Sequence, residues 1–256
     1  MLSLAVLALF VPLVSGHLGA DPSLDNAWKL WKDYHQKQYM RKEEELSRRL
    51  IWEKNLKAIE IHNLEFSLDL HSYRLGLNQL GDLTTEEVDA MLNGLLVPAV
   101  GEIIHTFTLP PDARVPLTMD WRLGGFVTKV KNQEGKCRYN VSGWAATCSG
   151  YKILPRGDEA ALQYTVARVG PVAVGIDATR FSFHHYRGGL YYEPSCSSQK
   201  LNHAVLVVGY GTENGHDYWI VKNSWGTSWG ENGYVRMARN RDNNCGIATY
   251  SIVPKL

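Results

Sequence analysis

Thiol chemistry is open to this chain through four cysteines: Cys137, Cys148, Cys196 and Cys245. A thiol is mostly protonated near neutrality. A nucleophilic cysteine therefore needs an imidazole beside it, which stabilises the thiolate as imidazolium and later protonates the leaving amine. A side-chain amide that accepts the other imidazole N–H would hold such a ring in place. Residue types alone do not select the histidine, because the chain has nine. The cysteines suit disulfides equally well in an oxidising compartment, and four of them allow three full connectivities that counting does not separate. Other chemistries find little support. His184 and His185 are adjacent and lack the usual spacing of metal ligands. No glycine loop of the P-loop or dinucleotide type occurs. Neither a metal nor another cofactor is expected. The net charge of +1 gives no reason to expect a nucleic-acid partner.

The elements that must carry these residues fall into segments of different character. Residues 2–14 are almost wholly apolar and end in Ser15-Gly16. That stretch is too short to span a bilayer, and its small-residue ending suits a cleaved secretory leader over residues 1–16. No later stretch is apolar enough for a membrane helix, so a soluble product of the secretory route is expected. Residues from about 22 to 95 read as mostly helical. Asp25 is placed to cap a short helix carrying Trp28, Leu30 and Trp31. A long helix is expected from about Arg41 to Phe66, where Leu46, Leu50, Ile51, Leu56, Ile59 and Leu64 recur at spacings near three and four. Thr84 and Glu87 form a capping box that opens another short helix toward Leu92. Pro98, Gly101, Pro110 and Pro111 then mark an extended linker. Beyond it a helix is expected from Asp158 to Val169, ended by Gly170-Pro171. Short β-rich runs at 172–176, 204–210, 218–222 and 234–237 suit a small antiparallel sheet or barrel. The 11 Lys/Arg and 16 Asp/Glu of residues 17–114 give −5; the totals of 27 and 26 leave 16 and 10, or +6, for residues 115–256. Two segments of opposite sign can attract each other.

Within the long helix, Glu44, Arg48, Trp52, Asn55, Ile59 and Asn63 follow steps of three and four that place them on one face. That face mixes polar and apolar residues, which is odd for a simple core helix. It resembles the ERFNIN pattern of cathepsin L-type propeptides, with Trp52 in the Phe place. Gly76-Leu77-Asn78-Gln79-Leu80-Gly81-Asp82 resembles the Gly-x-Asn-x-Phe-x-Asp propeptide motif, with Leu80 for Phe. The run at residues 48–57 is most similar to the cathepsin S type. Downstream, Asp120-Trp121-Arg122 and residues 127–133 resemble the start of a mature papain-family peptidase. Asn202-His203-Ala204-Val205 with Val208-Gly209-Tyr210-Gly211 resembles that family's catalytic-histidine motif. Residues 218–226, with Trp229-Gly230-Glu231 and Gly233-Tyr234, resemble its catalytic-asparagine motif. The resemblance implies an α+β, papain-like fold: a helical propeptide, a truncated helical first domain and a largely retained antiparallel β-rich second domain. It implies roles for His203 as the catalytic base and acid, for Asn223 as its holder, and for Gln133 as a donor to the oxyanion. It also implies a Cys196–Cys245 disulfide. The family partner of Cys137 has Phe126 in its place, which leaves Cys137 and Cys148 free or paired with each other.

One part of the family pattern is missing. The nucleophile signature Cys-Gly-Ser/Ala-Cys-Trp/Tyr should begin just after Gln133. The chain reads Glu134-Gly135-Lys136-Cys137-Arg138-Tyr139-Asn140 there instead, and no equivalent occurs elsewhere. The family histidine lies roughly 130–150 residues beyond the nucleophile. His203 lies only 70 beyond Gln133, the difference of 203 and 133. On that spacing a block on the order of 70–80 residues is absent. With it go the nucleophile, its helix N-terminus and a backbone N–H of the oxyanion hole. Exposed apolar surface is expected where the block would pack. Cys137 has no Gly-Ser before it and no Trp after it, and Cys148 fits less well still. Both read more simply as structural or free thiols.

The expected organisation is a leader at 1–16, an inhibitory propeptide at 17–114 with its inhibitor core at about 28–87, and a papain-like peptidase domain at 115–256, internally truncated after Gln133. The resemblance implies a lysosomal or secreted, monomeric endopeptidase zymogen whose partners are protein or peptide substrates, its own propeptide and cystatin-type inhibitors, with no nucleic acid or membrane. Loss of the nucleophile makes this chain inactive by expectation. Two alternatives stand beside that reading: a non-catalytic, propeptide-like inhibitor of related peptidases, and a skipped-exon product without function.

Overall fold

The computed structural model describes residues 19–97, 107–110, 112–132 and 147–255 of the 256-residue chain. The expected leader, Gln133 and Cys137 lie outside the described residues.

The N-terminal part opens with helix α1, Asp25–His35. Asp25 is not its cap: it occupies the first turn, while Asp21 caps a short 3-10 turn just ahead by accepting from the Ser23 N–H. An acidic side chain in that first turn suits the positive end of the helix dipole. Helix α2, Lys42–Ser67, follows as one uninterrupted element. The two helices meet through Trp28, Trp31 and Trp52, with ring centroids 5.3 Å (28–31) and 5.5 Å (28–52) apart. Such pairs each add roughly 0.5–1.5 kcal/mol beyond the area they bury. Buried Arg49 lies over Trp28 and Trp52 and is paired with Glu53 and Asp25. Strand β1, Tyr73–Leu75, and helix α3, Thr85–Leu92, complete this part. The capping box of α3 is formed in both directions between Thr84 and Glu87.

The odd mixed face of α2 has a physical reason. Its polar members grip backbone. Asn55 Nδ2 donates to the carbonyls of Gly81 and Leu83 at 2.9 and 3.0 Å. Asn63 exchanges both its amide atoms with the Leu75 backbone at 2.9 and 2.8 Å. Arg48 reaches the Asp82 carbonyl and the Glu87 carboxylate. The apolar members, Trp52 and Ile59, are buried. The helix therefore clamps the strand-and-turn segment that follows it in sequence.

The remaining elements are β2 (Met119–Asp120), β3 (Gly150–Ile153), α4 (Glu159–Arg168), β4 (Val172–Ile176), α5 (Phe181–His184), β5 (Tyr186–Tyr191), β6 (His203–Glu213), β7 (His216–Lys222), β8 (Tyr234–Ala238) and β9 (Ser251–Lys255). Asp158 caps α4 through the Ala161 N–H. The strands form one nine-stranded sheet in the order β1-β5-β8-β7-β6-β4-β9-β3, with β2 pairing β6 off that path. Pairings are antiparallel except β5 with β8. The fold is α+β, as the sequence implies. Among the described residues the C-terminal half has only α4 and α5 as α-helices.

The two halves join through backbone rather than charge. Strand β1 extends the sheet by pairing with β5. Gly76 N–H donates to the His185 carbonyl, Leu190 N–H to Ser72, and Leu95 N–H to Asn202. Asn78 Nδ2 donates to the His184 carbonyl at 2.8 Å. Gln79 spans to the Trp225 carbonyl and accepts from Ser228. Among the described residues one acid–base contact crosses the boundary, between Asp89 and His184 at 3.5 Å, and it carries paired charge only when His184 is protonated. The opposite charges of the halves are thus not realised as a set of paired contacts.

Candidate active site

His203 opens strand β6, opposite Ile176 of β4. Asn223 stands just past the end of β7, where its N–H donates to the Gly233 carbonyl. The β6–β7 pairing brings these two side chains together. His203 Nε2 lies 2.8 Å from Asn223 Oδ1. An amide oxygen only accepts, so this ring nitrogen carries the proton. Asn223 Oδ1 also accepts from the Ser224 N–H at 2.7 Å, which fixes the amide's orientation. Trp225 packs on the imidazole with ring centroids 4.8 Å apart and is braced by Trp229 and Phe183. His203 and Asn223 are themselves 4% and 3% exposed, so the bond between them lies away from water, with Trp225 packed on the ring.

The environment of His203 is less suited to charge than the residue pair suggests. The residue is 4% exposed. Burial lowers its proton affinity, and nearby His184 adds to that. The hydrogen bond to Asn223 and the nearby Leu92 backbone act the other way. Leu92 comes from the propeptide-like half and lines the same groove as His203, which was not foreseen from sequence. Residues 91–95 run past the histidine and form, with Ala204, Ser224 and Trp225, a groove of about 330 Å³. A second groove of about 340 Å³ lies alongside, lined by Thr128, Lys131, Leu206, Lys222, Asn223 and Ser224.

Gln133 itself lies outside the described residues. The chain leading to it is anchored at the site: Asn132 forms an isolated antiparallel bridge with Trp225, and the Gly226 N–H donates to the Lys131 carbonyl. Cys196 and Cys245 form a disulfide. Cys148 is an exposed free thiol. His184 and His185 are both buried, and His184 stacks edge-on against Trp225. Leu117, Leu123 and Phe126 are 89%, 87% and 72% exposed.

Comparison with known proteins bears on the same features. Residues 132–255 match the papain family cysteine protease, and residues 28–88 match the cathepsin propeptide inhibitor domain. Cathepsin S of Bos taurus is 41% identical over 316 aligned positions, covering 94% of this chain and 95% of that protein. Cathepsin K of Mus musculus is 40% identical over 323 positions, covering 97% and 98%. Since 94% of 256 residues is about 241, about 75 of the 316 positions aligned with the bovine protein face no residue of this chain. Among solved structures, procathepsin L2 proteinase of the Tenebrio molitor larval midgut aligns with a TM-score of 0.82 at 34% identity, covering 91% of this chain and 100% of that one. Procathepsin L 3 of the same source gives 0.81 at 32%, covering 92% and 100%. The papain-type histidine–asparagine geometry, the propeptide module docked across it and these relatives lead to one conclusion: the chain belongs to the papain family of cysteine proteases, in the proenzyme form that carries an inhibitory propeptide domain.

Proposed function

We propose that this chain is a catalytically silent member of the family, a zymogen whose His203–Asn223 pair has no nucleophile to act on. The observation that carries this reading is the state of His203. One ring nitrogen donates to Asn223, and burial disfavours the imidazolium that a thiolate would need. The sequence offers no Cys-Gly-Ser-Cys-Trp equivalent, two of its four cysteines are joined in a disulfide, and Cys148 is exposed without the flanking signature. In this reading Asn223 orients His203, Gln133 is an oxyanion donor without an oxyanion to bind, and the missing block follows Gln133, so that a truncated peptidase domain spans 115–256 behind a propeptide at 17–114. The secretory leader would deliver the chain, as a monomer, to the lysosome or the extracellular space. Protein substrates and cystatin-type inhibitors would find only part of their usual binding surface. The test is a fluorogenic dipeptide assay on the purified, acid-treated chain: the reading expects no turnover above buffer, and any turnover removed by a thiol reagent would overturn it.

A second reading has its own support. The propeptide-like module is internally complete: the tryptophan cluster, the Asn55 and Asn63 clamps, the Arg48–Glu87 pair and buried Asp82 with Lys37 and Tyr39 are all in place. Such a module would inhibit an active relative in trans. A sub-micromolar inhibition constant against a full-length family member would support this, and its absence would remove it.

A further inference from the structure

Three side chains at the C-terminal end of α2 converge without any part in the His203 site. His62 and Glu65 are three residues apart on the helix, hence on one face. His71 lies in the turn between α2 and β1. Taking one nitrogen from each histidine and one oxygen from Glu65, the three atoms lie within 4.8 Å of one another. The imidazoles stack with centroids 4.0 Å apart and planes 8° from parallel. His71 Nε2 faces Glu65 Oε2 at 2.9 Å. His62 Nε2 faces the Tyr73 carbonyl at 3.0 Å. A carbonyl only accepts, so Nε2 of His62 holds the proton and its Nδ1 presents a lone pair. Fixing one ring nitrogen on a backbone carbonyl is how proteins orient a histidine toward a metal.

We propose that His62, Glu65 and His71 form a binding site for a divalent transition-metal ion of the zinc type, with water completing the shell. Two imidazoles and one carboxylate suit zinc or copper, and are poor for calcium or magnesium, which prefer oxygen. Bonds of about 2.0–2.2 Å in a tetrahedral shell place ligand atoms about 3.3 Å apart. Reaching that spacing from within 4.8 Å requires the stacked rings to turn out of parallel as the ion binds. The His71 and Glu65 side chains are 32% and 44% exposed, so an ion has a path in and room for water. The ion would tie the end of α2 to the turn that feeds β1, the strand through which the propeptide-like half joins the sheet.

The test is calorimetric titration of the full chain with zinc chloride at neutral pH, beside His62→Asn, His71→Gln and the control His216→Gln, which changes an exposed histidine elsewhere. The proposal expects one equivalent of zinc per chain, with affinity falling by about tenfold or more in the first two variants and unchanged in the control. No saturable binding, or equal affinity in all variants, overturns it. If the variants fail to fold, copper(II) paramagnetic resonance on the unaltered chain decides. Coupling to two imidazole nitrogens supports the site; one nitrogen or none overturns it.

Discussion

At the scale of single residues, His203 is placed as a base but lacks the charge partner that would make it one. Burial lowers its proton affinity, and no thiolate in the family signature is present to offset that. The residues that hold the propeptide-like half together act through hydrogen bonds to backbone. Asn55 is 6% exposed and donates to two carbonyls. Asn55→Ala should leave those acceptors unpaired and destabilise the chain by about 1–3 kcal/mol, seen as a lower denaturant midpoint with unchanged slope. Asn55→Asp should cost more, since it sets a carboxylate against carbonyls. The sequence made these residues legible because an amide on an otherwise core-like helical face needs a reason to be there. It also exposed His203 and Asn223, since long stretches of flanking sequence match the family. It did not expose Leu92, which reaches the groove beside His203 from the other half of the molecule.

At the scale of elements, helices were readable where their signals are local: the Thr84–Glu87 box lies within one turn, and the Glu44-to-Asn63 series runs along one face of α2, although Leu46, Leu50 and Leu64 of its apolar series are exposed. Strands β1 and β5 were not anticipated. β1 is three residues long and pairs only with β5, in the other half, while β5 contains Gly188-Gly189 and lies between β1 and β8. Gly189 shows why a side chain is excluded there. Its φ is +100°, and an added Cβ would lie 2.6 Å from the Ser72 carbonyl oxygen. Gly189→Val should therefore separate β1 from β5 while leaving β6 and β7 intact. Limited proteolysis would report it as faster cutting in residues 70–80, with hydrogen exchange in β6 unchanged; equal cutting rates would show that the strand pair does not hold the halves together.

At the scale of the whole molecule, the halves meet over buried histidines rather than over paired charges. Burial holds His184 near a pKa of about 4, and burial with neighbouring His184 holds His185 near about 3. Unfolded, both would titrate near 6.5. As pH falls below that value the unfolded chain takes up protons that the folded chain refuses, so stability declines down to about pH 4, by up to about 1.4 kcal/mol per pH unit for each ring. Their carbonyls accept from Gly76 and Asn78, so the seam between the halves shares that loss. Thermal melts from pH 7 to 4 should show a falling midpoint, and His185→Phe should flatten the fall. A midpoint rising toward acid would contradict this. The remaining question is whether any cysteine has taken over the missing role. The most direct measurement treats the acid-exposed chain with an irreversible thiol trap directed at papain-type sites, maps labelled cysteines by mass spectrometry, and runs an active relative alongside. The account predicts that only the relative carries the label at its active site and turns over substrate. Labelling of Cys137 or Cys148 that also abolishes measurable turnover would contradict it.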